Sequence, residues 1–108
     1  MITWDDVATW ATTLPETTVE SWYRTPGLKV AGKGFARFRS DEEGGVVVFC
    51  SLEDKERYLS SGNDAFYTTP HYDGYGAVIV DLDLVNWDDL VELLLASRDL
   101  KAPKRLQR

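Results

Sequence analysis

One cysteine, one histidine and one methionine are all that this 108-residue chain holds of those three residue types. A lone Cys50 excludes an intramolecular disulfide. With a lone His71 it also excludes the four-ligand Cys/His sets of structural zinc. No apolar run approaches the roughly 20 residues of a membrane-spanning helix. Met1 to Ala11 lacks the cationic-then-apolar pattern of a secretory leader, so a reducing cytoplasm is the expected compartment. Cations are short too. Twelve Lys and Arg against eighteen Asp and Glu leave a net charge of −6, which argues against a general coat protein for nucleic acid. A phosphate loop is also missing: Gly32-Lys33-Gly34 lies between strand-like segments, whereas phosphate-binding glycines lead into a helix.

What the chain has is a core's worth of apolar residues. At 44% hydrophobic and 28% charged it is too apolar for disorder, and its length suits one domain spanning residues 1–108. Cys50 closes the apolar run that starts at Val46, which predicts a buried structural thiol. Thr3 caps a first helix, supported by Asp6 and by Trp4, Val7, Ala8 and Ala11 at helical spacing, with Leu14-Pro15 ending it. Thr17 to Arg24 reads as a strand and Thr25-Pro26-Gly27 as a turn. Leu28 to Val30 continues extended to a hairpin tip or bulge at 31–34, Phe35 to Arg39 alternates, and Val46 to Cys50 is the next strand. The three segments make an antiparallel meander whose second strand is broken.

A helix from Leu52 to Ser60, capped by Ser51, follows. The stretch Phe66 to Leu84 then supplies two strands around the loop Pro70-His71-Tyr72-Asp73-Gly74-Tyr75. Asn86 caps a last helix with an apolar stripe of Trp87, Leu90, Val91, Leu94 and Leu95. The order α-β-β-β-α-β-β-α is not a βαβ alternation. It predicts an α+β, two-layer fold, an antiparallel sheet with helices packed on one face.

Several stretches together carry a family resemblance. They are Leu14-Pro15-Glu16, Arg24-Thr25-Pro26, Gly32-Lys33-Gly34-Phe35-Ala36-Arg37, Phe66 to Tyr75, Trp87-Asp88-Asp89-Leu90 and Ala102-Pro103-Lys104-Arg105-Leu106. In order and spacing the chain resembles the MmcQ/YjbR family, whose members are labelled DNA-binding. The resemblance implies an α+β fold similar to that of type III secretion chaperones, and DNA as a partner. Better-known members carry a Lys-His-Trp type segment where this chain has residues 70–75, so it resembles a distinct branch.

Two basic clusters supply the candidate nucleic-acid contacts: Arg24, Lys29, Lys33, Arg37 and Arg39, then Lys101, Lys104 and Arg105 in the tail. In a regular strand, Lys33, Phe35, Arg37 and Arg39 share one face, so cations would interleave with an aromatic suited to stacking on an unpaired base. The same face also reads as a solvated surface or as a protein-docking or self-association surface. His71, Tyr72 and Tyr75 form a candidate recognition loop, or Tyr rings packed over the rim of the core. The tail is either a frayed end or a basic arm, while the resemblance, which extends through Leu106, implies that Ala102 to Leu106 dock on the body. His71 and Asp73 alone make no catalytic set, and no metal, cofactor or enzymatic activity is expected.

Overall fold

The computed structural model describes residues 1–22 and 24–108. Tyr23, inside the expected first strand, lies outside the described residues. The chain forms α1 (Trp4–Ala11), β1 (Thr17–Trp22), β2 (Thr25–Val30), β3 (Lys33–Phe38), β4 (Val46–Phe49) and α2 (Leu52–Leu59). There follow β5 (Phe66–Tyr67), a 3₁₀ turn (Pro70–Tyr72), β6 (Ala77–Val80), α3 (Trp87–Lys101) and a second 3₁₀ turn (Lys104–Leu106). The strands make one antiparallel sheet of six in the order β1-β2-β3-β4-β6-β5. The fold is α+β in two layers, as expected. The broken second strand is in fact two strands, β2 and β3, joined at Ala31-Gly32, where both residues have positive φ.

Each helix starts where a side-chain oxygen replaces the missing carbonyl partner of the first turn. Thr3 Oγ1 accepts from Asp6 N, and the Asp6 carboxylate in turn accepts from Thr3 N at 2.9 Å, completing a capping box. Ser51 and Asn86 accept from Asp54 N and Asp89 N at 3.0 and 2.8 Å.

Val7, Ala11, Leu90, Leu93 and Leu94 from the helices meet Leu28, Val30, Phe35, Val46, Val48, Val78 and Val80 from the sheet in one core. The buried stripe of α3 is turned from the expected one. It takes Leu93 in place of Val91 and Leu95, and continues through Ser97 and Arg98. Both polar residues are buried because both are bonded.

The bulge is what places the site. Leu28 pairs with Ala36 but Lys29 pairs with Gly34, so Phe35 is the extra residue of β3. Phe35 and Ala36 are both fully buried on the helix side, and Ser97 Oγ donates to the Phe35 carbonyl at 2.9 Å. Phe35 is therefore a core residue and not a stacking platform, which corrects the alternation expected for a regular strand. Lys33 pairs with Val30, a core residue, while Gly34 lies on the opposite face with Lys29.

Candidate functional site

The face of the sheet away from the helices carries a row set by register: Gly27, Arg37, Val47, Ile79 and Tyr67 stand side by side. Trp22, at the end of β1, lies across this face over Gly27 and Gly34. A Cβ on either glycine would run into its indole. The indole meets Phe49 edge-to-face, with centroids 5.5 Å apart and planes at 82°. Trp22, Arg37, Val47, Phe49, His71, Tyr72 and Tyr75 line a concavity of about 410 Å³.

Arg37 is the polar centre of this concavity. Its guanidinium donates to the Tyr72 hydroxyl at 2.8 Å and to Thr25 Oγ1 at 3.3 Å. Tyr72 reaches it because the chain leaves β5 in the Pro70–Tyr72 turn and folds back through Gly74 (φ +80°). Two backbone bonds tighten that return, Tyr75 N to Tyr72 O at 3.0 Å and Ala77 N to Tyr75 O at 2.8 Å. The His71 ring stands edge-on to Tyr72 at 4.8 Å. Behind the loop, the buried Lys55 of α2 donates from Nζ to the carbonyls of Tyr72 (2.5 Å) and Tyr75 (2.9 Å). One helix thus fixes both tyrosines that wall the concavity. Tyr75 remains 66% exposed, so its ring is offered to solvent.

The other cations divide. Lys101, from the end of α3, stands 5.0 Å over the Phe49 ring, beside the concavity. Lys29 lies on the same face, 3.9 Å from Glu20. Arg24 is exposed in the turn between β1 and β2, at φ +69°. Arg39 is drawn to Glu43 (3.1 Å), the Gly44 carbonyl and the Tyr67 hydroxyl, away from the concavity.

The tail is not an arm. Arg98, buried in α3, donates to Thr17 Oγ1 (3.0 Å), the Pro15 carbonyl (2.7 Å) and the Leu106 carbonyl (3.1 Å). Arg105 forms a two-pronged pair with Glu16, and Arg108 pairs with Asp99 at 2.7 Å. The bond from Arg105 holds the Glu16 carboxyl below the usual range and raises Arg105 in turn. Of the tail's expected contacts, Lys101 joins the aromatic site, Arg105 is engaged elsewhere, and Lys104 is exposed in the second 3₁₀ turn.

Reading the sequence did not single out Trp22, Phe49 or Lys55. Phe49 carries a signal, since it alternates with the core-facing Val48. Lys55 carries none, because a lysine in a polar helix normally faces water. Burial, with the nearby Asp54 adding to it, pushes the Cys50 thiol up to about 11, which makes it a poor nucleophile at neutral pH. Among the described residues, no group of three or more His, Cys, Asp or Glu side chains could hold a metal ion. No helix among them is long and apolar enough to cross a membrane.

The YjbR family model matches residues 12–100. An uncharacterized protein of Mycobacterium bovis, and one from each of two strains of Mycobacterium tuberculosis, are 32% identical to the chain over 121 residues. The alignment covers 98% of this chain and 93% of each relative.

Proposed function

The chain belongs to the YjbR family, and from that premise we propose that it is a non-enzymatic domain binding unpaired nucleic acid on the outer face of its sheet. The observation that carries this reading is the concavity itself: flat rings of Trp22, Phe49, Tyr72 and Tyr75 around the Arg37 guanidinium. Every base has a π-face, so aromatic walls accept an unstacked base whatever its identity, and a guanidinium supplies donors for base edges or phosphate. Bases in a duplex are already stacked and cannot enter such a site without being extruded. Lys101 stands over the Phe49 ring beside it and Lys29 lies on the same face, which supports contacts with flanking phosphates. A non-enzymatic role fits a thiol that burial keeps protonated at neutral pH.

The test is anisotropy of labelled single strands and duplexes with the Tyr75→Ala variant beside the parent. Tyr75 is exposed, so its loss should leave stability unchanged while weakening single-strand binding about tenfold. Arg37→Gln should weaken it further. Absence of binding at low salt defeats the nucleic-acid reading. The exposed Tyr75 and the half-buried Trp22 and Arg37, types enriched in interface hot spots, then favour docking of a protein segment on the same face.

A further inference from the structure

On the helical side of the molecule, Trp10 of α1 and Trp87 at the start of α3 form a corner. Their ring centroids are 6.0 Å apart and the ring planes meet at 83°. The two indoles, with Asp6, Thr9 and Thr13 of α1, line a surface recess of about 440 Å³. Trp10 packs against the core only in part, and Trp87 is 37% exposed, so indole surface faces water at the recess.

Electrostatics singles out one kind of occupant. Residues 1–23 and 58–97, which include both walls, contain no Lys or Arg. Among the described residues no basic side chain lines the recess, and Asp6 does. One oxygen of Asp6 accepts from Thr3 N at 2.9 Å. That bond holds the carboxylate at the edge of the recess. Asp88, next to Trp87, is exposed as well. Indole is the strongest side-chain π-partner for a cation, and perpendicular rings offer faces on two sides of one point. A methylated ammonium sheds its hydration more readily than a primary one, so it gains most from π-faces backed by one carboxylate.

We propose that the Trp10–Trp87 corner is a binding site for a quaternary ammonium group, with Asp6 as its counter-charge. The group is carried either by a free small molecule or by a trimethylated lysine side chain. The site is separate from the outer-face concavity and shares no lining residue with it.

Choline and its uncharged tert-butyl isostere, titrated against the full chain while the indole N–H resonances of Trp10 and Trp87 are followed by NMR, test this. Choline should shift both resonances, and the isostere should bind at least about fivefold more weakly. Asp6→Asn keeps the capping acceptor and removes the charge. It should weaken choline severalfold and leave the isostere unchanged. Trp87→Leu should abolish the choline response. A peptide bearing trimethyllysine, compared with its unmethylated form, separates the two sources. Preference for the methylated peptide over choline assigns the site to a modified side chain, and the reverse assigns it to a free ligand. Equal binding of choline and isostere, or no shift with either choline or the peptide, overturns the proposal.

Discussion

Lys55 carries its charge into the seam between α2 and the 70–76 loop and rests it on two backbone carbonyls. Replacing it by Met keeps the apolar stem and strands both carbonyls away from their donor. Lys55→Met should lose about 1–3 kcal/mol in chemical denaturation. Hydrogen exchange should speed up at the loop amides of Tyr72 and Tyr75, and nucleic-acid affinity should fall with them. Unchanged exchange there would show that Lys55 does not hold the loop.

Cys50 makes a pH prediction. Its folded value, about 11, lies above the ordinary 9.0, so the folded state holds the proton more tightly than the unfolded chain. The stability this contributes is complete below the unfolded value and is lost as pH rises from there through the folded value. Native protein at neutral pH should therefore resist alkylation that the denatured chain accepts, and mass spectrometry reads the difference directly.

At the scale of elements, the bulge in β3 and the glycines beneath Trp22 cooperate. The bulge turns Phe35 inward and leaves Gly34 facing out, where only a residue without Cβ lets the indole lie flat on the sheet. Gly34→Ala should destabilise by about 1–3 kcal/mol through overpacking, and Trp22→Ala in the same chain should remove most of that penalty. Additive effects in this double-mutant cycle would mean that the indole does not sit there.

Arg98 performs a comparable role for the tail, binding the α1–β1 connection at Pro15 and Thr17 to the second 3₁₀ turn at Leu106. Two of the stretches behind the family resemblance, Leu14-Pro15-Glu16 and Ala102 to Leu106, are thus brought together by one buried guanidinium and the Arg105–Glu16 pair. With Arg98→Met, Thr17 Oγ1 and the Pro15 and Leu106 carbonyls lose the guanidinium that ties them together, so limited proteolysis should cut after Lys101 or Lys104 faster than in the parent.

Over the whole molecule the charge is divided, not merely acidic. The outer sheet face gathers Arg37, Lys29 and Lys101 near its aromatics, while the Trp10–Trp87 recess is lined by Asp6 and neighboured in sequence by the exposed Asp88. A net charge of −6 repels polyanions at a distance, so the proposed nucleic-acid binding would rest on the local charge of this face alone. Binding of single strands should then be modest in affinity. It should depend on salt with a logarithmic slope of about −2, the value for roughly three neutralised phosphates. A slope several times steeper would implicate Lys104 or the other tail cations and would mean that the docked tail releases on binding.

The sequence by itself determined the α+β class, the three capped helices, the buried Cys50 and the loop at 70–75. Those features follow from short-range physics: caps lie three residues from their partners, and alternation and helical spacing are local. The tertiary structure decided which residues meet at the site. A single bulge reversed the facing of Phe35 and Lys33 relative to Arg37, a change of one residue in pairing that no periodicity records. Trp22 and Phe49 come from strands separated in the chain, and Lys55 reaches its carbonyls from a helix whose composition predicts only solvent. Ion pairing did the rest. Arg105 met Glu16 across 89 residues, which decided a segment legible as a frayed end or a basic arm in favour of the docked end that the resemblance implied.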